Sequence, residues 1–363
     1  MNEGNKQPLR TAVVGIGGMG AGHGRNLAAL ADDYRIVAGV DVDEARANQF
    51  AAKYDGAKPF TEFGRMLKDV RPDVVCIATG PVPRAAMTIQ AAEAGVRGIY
   101  AEKPMAVSMA EARAMVDACR RHNVALAINH QRRMSGPYRT MKRLIDTAAI
   151  GRVELIRGVH AGDVLSDGTH TVDVIRHLTG DAECRWVLGQ VFRDRPNPEE
   201  PRGMGFQASG GWRYGHPVET GGVALLEFVN GLRAEVHSGQ AQVKGRQYQD
   251  FEVFGSQGRL WRAGDQPLFP LMLQDTTGGF RQVPVDDVHL PGNPHAILMA
   301  NVFKQFAAMV RDGAAHPLSG ESALKGHEIV MAIYESARTR SRIELPLKQD
   351  AFPLQIMVDE GQM

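Results

Sequence analysis

Strand-like and helix-like stretches alternate without a break through the first 125 or so residues. No other feature constrains the fold as strongly. Short runs rich in β-branched residues lie at 11–14, 35–40, 74–78, 98–101 and 124–128. Between them are Ala-rich stretches with helical spacing at 24–32, 44–53, 84–94 and 108–121. Ser108, with Glu111 three residues later, is a capping-box signature for the last of these. Strict alternation of strand and helix sets successive strands parallel, because each crossover returns over the sheet in a right-handed sense. The predicted fold class is α/β, with an N-terminal Rossmann-like parallel sheet.

The pattern changes after residue 128. Strand-like runs dominate at 153–159, 186–192, 223–229, 232–238 and 251–255. Asn230-Gly231, between two of them, signals a two-residue hairpin. These features predict a C-terminal α+β domain built on a mostly antiparallel sheet, closed by helices at 295–311 and 321–339. The chain thus divides into domains at 1–128 and 129–363. A Pro- and Gly-containing segment at 193–217 is long for a loop. A functional lid, a subunit-swapped arm and a disordered stretch all fit it.

At 363 residues the chain suits two domains, and 44% hydrophobic with 23% charged residues excludes a disordered protein. Lys plus Arg number 42 against 41 Asp plus Glu, a net charge of +1, which argues against a nucleic-acid partner held by bulk positive charge. Cys76, Cys119 and Cys184 are too few and too widely spaced for a disulfide framework or a zinc knuckle, and they fit a reducing compartment. The 12 histidines include no HExxH, so no metal is expected. No signal peptide and no membrane-length apolar run is seen, so the expected location is cytoplasmic with no membrane partner.

Gly15-Ile16-Gly17-Gly18-Met19-Gly20 reads GxGxxG directly after the first predicted strand. Gly15 permits the tight turn, Gly17 allows close backbone approach to a pyrophosphate, and Gly20 lets the following helix pack on the strand. A helix N-terminus offers unpaired N–H groups and partial positive charge to phosphates, so Gly18 and Met19 belong to the same cofactor candidate. Asp41 ends the second strand, 21 residues after Gly20. A carboxylate there accepts ribose hydroxyls and repels a 2′-phosphate, which favours NAD over NADP. The competing role for Asp41 is a helix N-cap, which Asp43 can take instead. Arg46 is close enough to weaken the discrimination.

Four further pieces follow in order: Glu102-Lys103-Pro104, the segment Asn129 to Arg133, Gly168-Thr169-His170-Thr171-Val172-Asp173, and His177-Leu178-Thr179-Gly180. With the glycine turn they resemble the Gfo/Idh/MocA family, the glucose–fructose oxidoreductase and inositol dehydrogenase group. The resemblance implies an N-terminal Rossmann domain and a C-terminal domain with a large open sheet that mediates oligomerisation, as a homodimer or homotetramer. It also implies an NAD(H)-dependent oxidoreductase that moves hydride between nicotinamide and a secondary alcohol of a sugar, cyclitol or glycoside.

By that resemblance Lys103 is the catalytic lysine, an ammonium able to donate to the reacting oxygen. His170 is the general acid or base, suited by an ordinary pKa near neutrality. Many family members carry an aspartate four residues before this histidine, where this chain has Ser166. Asp167 takes over that role, or Asp163 does, or the role is lost. Asp167 also reads as a cap for the helix carrying His170. Asp173 reads as a group orienting the His170 imidazole. Thr79, Arg84, Glu102 and Lys103 are cofactor candidates; Glu102 alternatively pairs with Lys103, and Arg84 alternatively caps a surface. Asn129, His130 and Arg133 are substrate candidates, together with Lys103, Asp167 and His170, and the competing role for Arg133 is a surface ion pair; His160 and Tyr214 are weaker substrate candidates. A redox-neutral enzyme with tightly bound NAD and a non-catalytic NAD sensor are the competing readings of the same residues.

Overall fold

The computed structural model describes residues 7–194, 202–205, 207–239, 248–264, 270–285 and 294–363. It divides into two compact units. The first holds Met1–Ala106, Glu111–Gln131 and His295–Leu324, and the second Val107–Ala110, Arg132–Pro294 and Lys325–Met363. Residues 295–324 thus go with the first unit, a division that differs from a single cut at 128.

In the first unit, strands β1 (Leu9–Val14), β2 (Tyr34–Val40), β3 (Lys58–Phe60), β4 (Val74–Ile77), β5 (Gly98–Ala101) and β6 (Ala125–Ile128) form one sheet in the order β3-β2-β1-β4-β5-β6. Every pairing is parallel. Helices α1 (Gly18–Ala28), α2 (Glu44–Ala51), α3 (Phe63–Val70), α4 (Arg84–Glu93) and α5 (Met109–Arg121) make the connections. All four residues of β4 and of β5 are buried, as in a sheet covered on both faces. The strand order reverses between β1 and β4, the point at which open α/β sheets bind ligands beyond their strand ends. A helix at Pro294–Asp312 completes the unit. Tyr34 donates its hydroxyl to the Phe303 carbonyl at 2.6 Å, and the Phe303 ring stands 4.8 Å from Tyr100.

Three sequence expectations change here. The sheet has six strands, not five: β3 is three residues long with a central proline at the sheet edge, which leaves no strand pattern to read. Helix α3 was also unread, although its buried Phe63, Met66, Leu67 and Val70 follow helical spacing. Helix α1 begins at Gly18, six residues before the predicted start at 24. Glycine is a poor helix former, so local propensity argued for a later start. Packing overrides it: a Cβ on Gly24 would come within 2.6 Å of the Phe50 ring.

The second unit begins with a 3-10 turn at Gln131–Met134 and α6 (Gly136–Asp146), then β7 (Val153–His160) and α7 (Gly168–Leu178). It continues with β8 (Cys184–Phe192), β9 (Trp212–Arg213), β10 (His216–Pro217), β11 (Gly221–Phe228), β12 (Arg233–Gly239), β13 (Gln249–Gly255), β14 (Gly258–Arg262), β15 (Leu271–Asp275) and β16 (Phe280–Val283). After the helix at Pro294–Asp312, counted as α8, come α9 (Gly320–Thr339), β17 (Ile343–Glu344) and α10 (Pro353–Asp359). The two long C-terminal helices therefore do not close the chain.

Among the described residues, nine strands form one sheet in the order β16-β15-β14-β13-β7-β12-β11-β8-β17. Among these strands only the β7–β12 pairing is parallel. Strand alternation separates its two faces. On one face the register aligns Val187, Leu226, Ala234, Ile156, Val253 and Leu260, each at most 1% exposed. Helix α7 packs there, and a Cβ on Gly158 of β7 would stand 2.6 Å from Thr171 Cγ2. The other face carries Leu188, Leu225, Glu235, Arg157, Glu252 and Trp261 in one row.

The β11–β12 hairpin forms as expected, but of Asn230 and Gly231 only the glycine takes positive φ, at 81°. Its N–H bonds to the Phe228 carbonyl at 2.9 Å, so the turn is wider than the two-residue hairpin read from the sequence. Within 193–217, strands β9 and β10 form a ribbon turning through Tyr214 and Gly215, both at positive φ. Residues 195–201 and 206 lie outside the described part. Among the described residues, no helix is long and apolar enough to cross a membrane.

Candidate functional site

Gly15 follows β1 at φ 79°, and its N–H bonds to the Val40 carbonyl. A Cβ there would stand 2.7 Å from the Thr79 nitrogen after β4. A Cβ on Gly20 would stand 2.0 Å from the Gly15 carbonyl oxygen, so the first turn of α1 is pressed on the glycine turn itself. Gly17 and Gly18 face open space, where a Cβ would meet nothing within 4 Å. Gly17 is the N-cap, no side chain caps the helix, and no acidic residue lies in its first turn. Met19 is exposed. An uncapped N-terminus bordered by bare backbone has the free N–H groups and the room to receive an anion.

Asp41 stands at the end of β2, buried to 7% exposure. Its Oδ2 accepts the Ile16 N–H of the glycine turn at 2.7 Å, and its Oδ1 accepts the Asp43 N–H at 3.0 Å. Asp43 caps α2 by accepting from Arg46 N, so the capping role falls to it and not to Asp41. The Arg46 guanidinium lies 3.2 Å from Asp41 and 3.3 Å from Asp43. Strand β3 steadies this corner, since Asp41 N donates to the Phe60 carbonyl.

Lys103 follows β5 and is half-buried, joined to Pro104 by a cis peptide. Its N–H donates to Glu102 Oε2 at 3.2 Å. Glu102 Oε1 meets His23 Nε2 at 2.6 Å and accepts from Asn129 Nδ2 at 2.7 Å. Burial alone would raise the Glu102 pKa, but His23, Asn129 and the nearby Lys103 charge outweigh it and bring the carboxyl down to about 2. Glu102 is therefore an ionised anchor beneath the lysine. Asn129, 1% exposed, also accepts from the Tyr100 hydroxyl, so both ends of its amide serve this scaffold. Arg84 is 1% exposed; its Nη1 donates to the Pro104 carbonyl and its Nη2 to the Thr79 carbonyl.

In the second unit, His170 lies in the first turn of α7, and its backbone N–H bonds to the Asp167 carbonyl. Asp167 is the N-cap residue, yet its side chain does not cap the helix. Its Oδ2 accepts from Arg213 Nη1 at 2.6 Å, and its Oδ1 accepts from the Tyr248 hydroxyl. A Cβ on Gly162 would stand 1.8 Å from Asp167 Oδ2, so a bare glycine makes room for this carboxylate. Asp163 also bonds to Arg213, at 2.9 Å, and accepts from Ser166 N at 2.6 Å. Both aspartates flanking the Ser166 position thus converge on one arginine.

Behind them Glu219 accepts from Val164 N and from the Tyr334 hydroxyl, and burial with the Asp163 charge pushes its carboxyl up to about 8. His160 is fully enclosed. Burial takes its imidazole down to about 4 against the pull of Asp167 and Asp163. A Cβ on Gly168 would come 2.6 Å from its Nε2. The ring lies beneath the start of α7, which corrects its reading as a direct hydroxyl ligand.

Arg133 is corrected most clearly. Its side chain is 2% exposed. Nε and Nη2 grip Asp173 Oδ2 and Oδ1 at 2.8 Å each, and Nη2 also reaches the Asp173 carbonyl at 3.1 Å. Nη1 lies 3.0 Å from both oxygens of Asp181. Burial would lower the Arg133 pKa, but the two carboxylates raise it above the ordinary arginine value. The guanidinium is committed to locking the start of the unit onto α7, and Asp173 is held by Arg133 on both oxygens. Neither a sugar contact for Arg133 nor its alternative reading as a surface ion pair describes this geometry. His130, 3% exposed, is buried beside it in sequence. His23, Arg213 and Tyr248 were not singled out from the sequence. Their partners are 46 to 81 residues away, and no local spacing marks them.

The first unit is a doubly wound dinucleotide-binding domain. The residues fit that group: Gly17 and Gly18 leave an open backbone at an uncapped helix N-terminus, and Asp41 supplies a carboxylate at the end of the second strand. Comparison with known proteins agrees over both halves. The model of the oxidoreductase family with an NAD-binding Rossmann fold matches residues 9–130, and that of the GFO/IDH/MocA C-terminal domain matches 161–261. The chain belongs to the Gfo/Idh/MocA family of NAD-binding oxidoreductases.

Among curated relatives, scyllo-inositol 2-dehydrogenase (NAD(+)) of Bacillus subtilis is 25% identical over 356 residues, 94% of this chain and 97% of that protein. Inositol 2-dehydrogenase 2 of Saccharopolyspora erythraea is 28% identical over 194 residues, 50% of this chain and 54% of that protein. The chain therefore spans about half the length of the latter relative and nearly all of the former. A levoglucosan dehydrogenase solved with NADH and L-sorbose superimposes with a TM-score of 0.78 at 22% identity, covering 94% of this chain and 99% of that one.

Proposed function

We propose that this protein is an NAD-dependent dehydrogenase that oxidises a secondary alcohol of a sugar, cyclitol or glycoside, or reduces the corresponding ketone. The observation that carries this reading is the convergence, on one sheet, of the glycine cradle after β1, Asp41 after β2 and Lys103 after β5. Relatives named as inositol and levoglucosan dehydrogenases support the substrate class. Residues 1–128 serve as the NAD-binding domain, with the helix at 294–312 added to them, and the rest of 129–363 recognises substrate.

NAD supplies the hydride acceptor when bound. Gly15, Gly17, Gly18, Met19 and Gly20 form the pyrophosphate cradle, and Asp41 takes the ribose hydroxyls in preference to a 2′-phosphate. Lys103 donates to the alcohol oxygen and stabilises its developing charge, and His170 takes or returns its proton. Glu102 and Asn129 hold the lysine turn. Asp167 is locked by Arg213 and Tyr248, so its part is to fix the approach to His170.

Absorbance at the reduced-nicotinamide band, with NAD and a panel of cyclitols, aldoses and glycosides, tests the reading. A steady rise with at least one class is expected. Silence across the panel from a protein purified with bound NAD would replace this reading with redox-neutral catalysis.

The assembly proposed is a homodimer or homotetramer through the open face of the nine-stranded sheet. Leu188, Val223 and Leu225 share that face at 45%, 38% and 43% exposure, unusually apolar for solvent-facing strands. Sedimentation should return a dimer or larger, and Leu225→Glu should shift it toward monomer. A monomeric wild-type protein at micromolar concentration overturns this assembly.

A further inference from the structure

We infer that Arg84 is the positioning residue for Lys103, holding the lysine turn against the wall of the glycine cradle. The inference deepens the function proposed above, resting on Lys103 as the group that serves the reacting oxygen. Arg84 is the first residue of α4 and almost fully buried. A cation at a helix N-terminus opposes the helix dipole, and a buried guanidinium gives up its hydration. Neither is expected of an arginine whose task is solubility.

Its two terminal nitrogens instead tie together two loops distant in sequence. One donates to the carbonyl of Pro104, the residue directly after Lys103, and the other to the carbonyl of Thr79. Thr79 is itself packed on the glycine turn, as the 2.7 Å approach of a Gly15 Cβ to its nitrogen shows. On the other side, Lys103 has its own N–H held by Glu102. The lysine is therefore bracketed in sequence by an anion that accepts its N–H and a cation that holds the following carbonyl. A forked guanidinium can bridge two carbonyls in fixed geometry, whereas a lysine ammonium offers a single point.

The test compares wild type, Arg84→Ala, Arg84→Lys, Lys103→Ala and the Arg84→Ala/Lys103→Ala double variant. It measures kcat, KM for the alcohol, NAD affinity by fluorescence titration, and amide exchange at Lys103, Met105 and Ala106 in cofactor-free protein. Arg84→Ala should lower kcat by about 10–100-fold, the scale on which small misplacements act, with NAD affinity within about threefold of wild type. Amide exchange through 103–106 should accelerate without cofactor, and guanidinium in solution should restore part of kcat. Arg84→Lys should fall between wild type and Arg84→Ala, and it carries the comparison if the alanine variant does not fold.

In the Lys103→Ala background, removing Arg84 should cost little further kcat, because both changes act through one group. Near-wild-type kcat for Arg84→Ala and Arg84→Lys, additive losses in the double variant, or a loss confined to NAD affinity overturns the positioning role. Near-wild-type turnover by Lys103→Ala alone instead rejects the function assigned to Lys103, and that single variant separates the two failures.

Discussion

Replacing Lys103 by alanine is expected to reduce kcat by about 10²–10⁴-fold while leaving NAD affinity close to wild type. The magnitude follows from the part assigned to it. One positioned donor to the reacting oxygen contributes about 10²–10³-fold as an electrostatic stabiliser, and a positioned proton-transfer group about 10²–10⁴-fold. The selectivity for kcat follows from the fold. The glycine turn is shaped by backbone contacts among Gly15, Gly20 and Thr79, none of which needs the lysine side chain. The Glu102 anchor also survives, since His23 and Asn129 hold it without the ammonium. Stopped-flow hydride transfer and equilibrium NAD titration on the same preparation separate the two quantities. Turnover within threefold of wild type would remove Lys103 from the chemistry.

The second large effect is on stability. Arg133→Met should destabilise the protein by about 3–5 kcal/mol, because it leaves the Asp173 carboxylate buried with its principal partner gone. Asp181 is 44% exposed and can rehydrate, so most of the cost falls on Asp173. Adding Asp173→Leu should recover much of the loss, since exchanging a whole buried pair for apolar groups is often neutral. Urea titration of the two variants decides the matter. If Arg133 gripped substrate instead, the single variant would unfold at the wild-type midpoint with a raised KM, and Asp173→Leu would restore nothing.

Much of the first unit was legible from local pattern alone. Strands β1, β2, β4, β5 and β6 are short buried runs, and a parallel sheet covered on both faces leaves little choice but continuous apolar residues there. The glycine turn was legible because its chemistry is backbone chemistry: Gly15 takes a positive φ, Gly17 and Gly18 leave the backbone open, and Gly20 lies against the Gly15 carbonyl. The edge strand β3 was not, since three residues around a proline gain their extended form from pairing with β2 and not from their own preferences. The turn at Asn230-Gly231 likewise announced a hairpin but not its width.

The sequence by itself determined the class of sheet, the cradle for a dinucleotide and the position of the lysine, because each is written in neighbouring residues. Only the tertiary structure decided what the charged side chains do. Arg133 read as a surface or substrate group until Asp173 and Asp181 enclosed it, and Arg84 read as a cofactor contact until its donors met Pro104 and Thr79. Asp167 read as a helix cap or as the substitute for the family aspartate until Arg213 and Tyr248 took both its oxygens. A long polar side chain is compatible with many partners, and its energy depends on which of them burial brings within about 3 Å. That choice is made by segments far apart in the chain, so no local reading contains it.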